Sequence, residues 1–223
     1  RLQLAVDMRR FAIERLALPD TGSYTLYADI ERDYVVQNLF AAAEFSVELH
    51  QWCYPVLGCA AYRGYFDIDM LDAEAATLKG QGFDTYTALI PAYSTLGWFD
   101  DPLLSTVIDW PAPQLAGLIF HELAHQQVYV KGDTVFNESF ATAVEQAGVE
   151  LWLQENGDAA LIERYRLSRV HRDRVIALIE ETRAGLEVFY ARALPEAELR
   201  AGKRQRLAAA RQAYGQLRDD WGY

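Results

Sequence analysis

The sequence predicts an α+β fold, with a small mixed β-sheet region over about residues 1–110 and a helical half over about 111–223. Three observations lead there. Residues 34–69 are dense in β-branched and aromatic side chains, the composition of strands. After Pro111, apolar residues recur at helical intervals to the end of the chain. No internal repeat or low-complexity linker divides the two textures, so 1–223 reads as a single unit.

In chain order, "RLQLAVDMRRFAIERLALPD" carries helical spacing and ends at Leu18-Pro19-Asp20. "PDTGSYTLYADIERD" is rich in turn formers. From Tyr34 to about Asp69 the pattern supports two or three strands. "MLDAEAATLKGQGF" reads as a short helix with a Gly exit, "TYTALIPAY" as a strand, and "STLGWFDDPLLSTVIDWPAP" as an ordered aromatic loop. Pro113 lies near the start of a helix that runs to about Val130 and stops at Lys131-Gly132, where Gly can take a left-handed exit. A second helix covers roughly Asn137 to Glu155. Asp158 can cap a third that reaches about Ala193, and Pro195 opens a fourth that reaches about Trp221.

Composition narrows the function classes. A hydrophobic content of 51% with 24% charged residues suits a folded domain. The net charge of −11 argues against non-specific nucleic-acid binding, which needs a basic surface. No stretch approaches the roughly 18 apolar residues of a membrane helix. The chain opens at Arg1 with no signal-peptide pattern after it, which reads as a trimmed or mature form. Cys53 and Cys59, in "WCYPVLGCAAY", admit two readings. Pro55 and Gly58 can bend the segment into a disulfide, or both thiols can be buried as small hydrophobes.

The chemistry concentrates in "GLIFHELAHQQVYVKGDTVFNESFATAVEQAG". Positions i and i+4 of a helix share one face about 6 Å apart, so His121 and His125 can turn their imidazoles on one ion. Glu122 is rotated about 100° from His121, which lets it reach a water on that ion without ligating. A catalytic zinc site needs a third protein ligand and an open fourth position. Glu138, past a Gly-containing reversal, supplies that ligand, whereas Asp133 sits in the turn and is explained by bonding its own backbone. Glu145, two turns beyond Glu138, can hydrogen-bond the outer nitrogen of a liganding histidine. Leu115, Leu118, Ile119 and Leu123 make the carrier helix apolar, hence buried, and buried polar groups demand partners. One Zn2+ per chain meets that demand.

"HELAH" followed by "FNESFATAVE" resembles the gluzincin metallopeptidases, whose third ligand is a glutamate on the following helix. "NESFA…E" is similar to the "NEGFA…E" of the zinc aminopeptidases in that clan. With "YVVQNLFAAAEFSVELHQWCYPVLGCAAYRGYFD" and "AYSTLGWFDDPLLST", the likeness extends to a bacterial family of predicted zinc-dependent aminopeptidases, over roughly residues 20 to 155. The resemblance implies His121, His125 and Glu138 as zinc ligands, Glu122 as general base and a peptide substrate. It also implies an exported, periplasmic or cell-envelope protein, with a lipid anchor in some full-length forms.

Two departures accompany it. The interval from His125 to Glu138 is shorter than in thermolysin-like enzymes, and no "GAMEN"-like string is present to hold a substrate's amine. The nearest analogue is "YRGYF", where Tyr62, Arg63, Gly64 and Tyr65 could line an edge strand that a substrate backbone approaches; a buried strand with a Gly bulge explains it equally. An oxyanion donor is also required, and His171, Tyr165, Tyr190, Arg63 and Tyr93 are the candidates, with His171 on what reads as a solvated charged face. The main reading is a zinc aminopeptidase. The alternatives are an endopeptidase of the same clan, a non-catalytic zinc-stabilised peptide binder and, more weakly, an interaction module on the C-terminal helices.

Overall fold

In the computed structural model, which describes residues 1–54, 58–95 and 99–222, the chain opens with helix α1 (Leu2–Leu16). Its Ala5, Met8, Phe11 and Ala12 form one buried face. The helix ends where Ala17 turns into the left-handed region at φ 53° and Leu18 N–H donates to Ala12 O at 3.0 Å. Pro19 follows and cannot continue the ladder, so the helix stops two residues before Leu18.

Short strands come next: β1 (Tyr27–Ala28), β2 (Val36–Ala43), β3 (Trp52–Tyr54), β4 (Gly58–Ala60) and β5 (Arg63–Tyr65). Four strands therefore occupy the region where the pattern supports two or three, and β1 lies inside the turn-rich stretch. Helix α2 (Ile68–Gly80) starts at Asp67, whose carboxylate accepts from Asp69 N–H at 2.8 Å and Met70 N–H at 3.2 Å. Strand β6 (Phe83–Ile90) follows. The aromatic loop then proves to hold β7 (Leu103–Leu104) and the one-turn helix α3 (Ser105–Ile108). Four long helices complete the chain: α4 (Ala112–Gln127), α5 (Thr134–Asn156), α6 (Ala159–Tyr190) and α7 (Glu196–Trp221).

The fold is thus mixed α+β, with small sheets and a helical C-terminal half. Among the described residues, β1 pairs with β7 in parallel, β2 lies between β5 and β6, and β3 pairs with β4 as an antiparallel hairpin. Cys53 and Cys59 face each other in that hairpin as a disulfide, both exposed, so the buried-thiol reading is set aside. Gly58, at φ 80°, supplies the backbone conformation the return needs.

Two compact units divide the residues, Arg1–Val36 with Leu89–Arg166, and Gln37–Ala88 with Leu167–Tyr223. The first unit is built on α1, α4 and α5. Met8, Leu115, Ile119, Phe120, Leu123 and Val149 are shut off from solvent in its core. Gly148 allows the close approach, since a Cβ there would stand 2.7 Å from Leu16 Cδ1. The second unit packs Leu71, Ala75 and Leu78 of α2 on Leu39, Ala41 and Tyr65 of the sheet. Arg200 of α7 also grips Glu44 there through two nitrogens, at 2.7 and 2.9 Å.

Ala17 gives a stability test. A non-glycine residue in the left-handed region costs about 1–2 kcal/mol, partly offset by the backbone freedom glycine loses on folding. Ala17→Gly is expected to stabilise the protein by roughly 0.5–1 kcal/mol. A higher urea midpoint at unchanged slope would bear this out, and a lower one would refute it.

Candidate metal centre

Helix α4 is buried by its own apolar residues, which pack on α1 and α5. It carries His121 and His125 one turn apart on the polar seam left between those contacts. Their Nε2 atoms lie 3.1 Å apart. The helix ends at Gln127, before the expected Val130, because Val128 is already extended at φ −139°. The chain reverses through Gly132 at φ 85°, and Asp133 caps α5 by accepting from Phe136 N–H at 2.9 Å.

Glu138 then arrives near the start of α5. One of its oxygens is 3.4 Å from His121 Nε2 and the other is 3.6 Å from His125 Nε2. Ligands about 2.0–2.1 Å from a tetrahedral ion stand roughly 3.3 Å from one another. With one donor atom taken from each residue, the three lie within 4.8 Å of one another, a set that could hold a metal ion. The His125 side chain is 4% exposed and that of Glu138 58%, so the cradle is deep at the imidazoles and open on the carboxylate side.

The surrounding groups set the electrostatics. His121 Nδ1 lies 3.0 Å from Glu145 Oε2. Gly117, one turn before His121, makes the room: a Cβ there would come within 3.3 Å of the Glu145 side chain. Burial alone would lower the His121 pKa, but the Glu145 hydrogen bond and the charges of Glu122, Glu145 and Glu138 raise it above the ordinary value. Glu122 is pushed up by burial, against the opposing pull of a hydrogen bond from Ser94 and the two histidines. It lines a narrow crevice with Tyr24, Tyr93 and Leu118.

Several supporting residues escaped the sequence reading. Asn137, buried beside Glu138, accepts from Val130 N–H at 2.8 Å and donates to Val130 O at 2.9 Å, closing the reversal. Gln126, next to His125, accepts from Thr21 Oγ1 at 2.8 Å and donates to Ser23 Oγ at 3.1 Å. Asp101 N–H donates to the same Ser23 hydroxyl at 3.2 Å, and Tyr24 N–H donates to Asp101 O at 2.7 Å. These bonds lay residues 21–24 along α4 beside the site. Tyr24 takes φ 61°, costly for a bulky side chain, and its hydroxyl pKa is raised by burial and then by the charges of Glu122 and Asp101. Only "NES" hinted at any of this; the other partners are distant in sequence.

The remaining candidates fall as follows. Tyr93 shares the crevice with Glu122, and Tyr165 packs at the edge of the first unit's core. Arg63, His171 and Tyr190 belong to the second unit. His171 is half-buried and stacks on Trp221 at 4.0 Å, which corrects its reading as a solvated side chain. Of the aromatic loop, Leu96, Gly97 and Trp98 lie outside the described residues. Arg63, Gly64 and Tyr65 form β5, an edge strand in unbroken register with β2 and without a Gly bulge. Tyr62 precedes it, exposed, while Tyr65 is buried in the second core.

A family model described as "Putative aminopeptidase" matches residues 1–223. That match includes the C-terminal helices, beyond the 20–155 span of the sequence resemblance. No curated protein and no solved structure gives a significant match.

The Asn137 clamp is testable without any assumption about activity. Asn137→Ala removes both bonds and should destabilise the protein by about 1–3 kcal/mol, with faster hydrogen exchange at the Val130 amide. Exchange at Val130 unchanged from the parent would show that the turn closes without the clamp.

Proposed function

Since the chain belongs to the family described as "Putative aminopeptidase", we propose that it is a zinc-dependent peptide hydrolase that acts on the amino end of peptides. One observation carries the metal assignment: His121, His125 and Glu138 offer three donor atoms that all lie within 4.8 Å of one another, with Glu122 half-buried on the same helix. A mixed imidazole and carboxylate set suits zinc, as does the gluzincin-like order of ligands on two successive helices.

A zinc ion in this cradle would polarise the scissile carbonyl and acidify a water. Glu122, kept out of the ligand set by its rotation around α4, takes the proton from the attacking water and hands it to the departing amine. Its burial raises its pKa, which suits a group that must hold a proton between those two steps. Glu145 accepts from His121 Nδ1–H, which fixes the ring and leaves the Nε2 lone pair facing Glu138 and His125. Among the candidate oxyanion donors, Tyr93 is favoured by sharing a crevice with Glu122.

The preference for amino ends rests on the family and on the resemblance to the zinc aminopeptidases. The Cys53–Cys59 disulfide supports an oxidising compartment, such as the periplasm or the cell envelope, and a lipid anchor on a longer form agrees with that location.

Metal analysis should find one zinc per chain, with the stoichiometry reduced in His121→Ala and Glu138→Ala, and chelation should abolish peptide hydrolysis until zinc is restored. Glu122→Gln should keep its zinc while kcat/KM falls about 10²–10⁴-fold. Hydrolysis retained in that variant removes the assigned mechanism. A wild type that binds zinc and peptides but cleaves none is the non-catalytic binder instead. Cleavage of N-acetylated peptides as fast as free ones would make it an endopeptidase.

A further inference from the structure

In the second unit, α7 and the part of α6 from Leu167 onward meet near each end of an open stretch. At one end a Cβ on Gly202 would meet the Phe189 ring at 2.1 Å, and Arg206 lies 3.7 Å from the centre of that ring. At the other end His171 stacks on Trp221 at 4.0 Å with the ring planes 9° apart. Between these closures runs an open groove of about 560 Å³. Its walls carry Val175, Leu178 and Leu186 from α6 and Leu207, Ala210 and Tyr214 from α7. The groove continues past Val175 and Tyr214 into a second hollow of about 370 Å³ edged by His171, Arg172, Arg218 and Trp221.

We infer that this groove binds a single-chain amphiphile with an anionic head, specifically a long-chain carboxylate. The volume lies in the range of small-molecule sites, roughly 300–1,000 Å³. From Val175 to Leu186 the groove is about 16 Å long at 1.5 Å per helical residue. An extended peptide would lay its backbone N–H and C=O groups on walls whose own backbone is already paired within helices, and so leave them unsatisfied. An alkyl chain needs no such partners.

Charge sets the direction. In a chain of net charge −11, Arg172 and Arg218 edge the far hollow with His171, and Arg211 lines the groove about one turn before Tyr214. Arg211 and Arg218 have no carboxylate partner among the described residues, and Arg172 has only Asp173 at 4.0 Å. Arg183, at the opposite end, is already held by Glu48 at 2.9 Å. Asp219 and Asp220 follow Arg218 but edge neither hollow. The tail therefore points toward Leu186 and the carboxylate toward Arg218. This inference is independent of the metal site.

Titration of the full chain with dansyl-labelled undecanoate, below its micelle concentration, should show one saturable site displaced by dodecanoate. Ala210→Trp fills the groove and should weaken binding at least about tenfold, with Leu207→Gln as a second groove variant and circular dichroism to verify folding. Arg211→Glu with Arg218→Glu should weaken dodecanoate about tenfold while leaving neutral dodecanol within about twofold. The inference is overturned by absence of saturable binding, or by affinities unchanged in both folded groove variants. It is equally overturned by a dimer that Ala210→Trp dissociates, or by binding only to phosphatidylglycerol vesicles.

Discussion

The reversal between α4 and α5 is the constraint on which the candidate site depends. Two imidazoles on one helix face can meet a carboxylate from the next helix only if the connection is short and its path is fixed. The extended backbone at Val128, the left-handed Gly132 and the Asp133 cap shape that path, and Asn137 closes it by holding both backbone groups of Val130. Glu138 is the very next residue. Its position follows from the turn more than from any contact of its own, for its side chain is largely exposed.

Around that turn the protein gathers more negative charge than its two histidines can offset. Glu122, Glu138 and Glu145 all act on His121. Three carboxylates at one place repel one another, and a divalent cation held among them would relieve that repulsion while satisfying the imidazole nitrogens. The polar chain from Gln126 through Ser23 to Asp101 does separate work. It fastens the 21–24 segment against α4, which puts the strained Tyr24 in the crevice beside Glu122. Strain of this kind persists only where the surroundings over-determine it.

The second unit follows a different logic. Its sheet and α2 bury a modest core, and charged pairs such as Arg200 with Glu44 tie α7 to it. Helices α6 and α7 are amphipathic but do not close on each other along their length. Phe189 fits only against a glycine, Gly202, and the His171–Trp221 stack props the opposite end. The apolar residues between those supports are left facing a groove.

The sequence by itself determined what local rules can fix. Proline and glycine positions, Asp caps and 3.6-residue spacing located α5, α6 and α7 to within a few residues. The i, i+4 rule put His121 and His125 on one face, and the pattern after Gly132 nominated Glu138 and Glu145, both of which the structure brings to His121. Only tertiary structure decided the rest. Strands as short as β1 and β7 have too little pattern to be seen alone and exist because they pair with each other. The end of α4 falls at Gln127 rather than Val130, with Val128 already extended and the Val130 backbone bonded to Asn137 seven residues later. Tyr24, Gln126 and Asp101 became neighbours through hydrogen bonds spanning as many as 105 positions, and no local periodicity encodes such contacts.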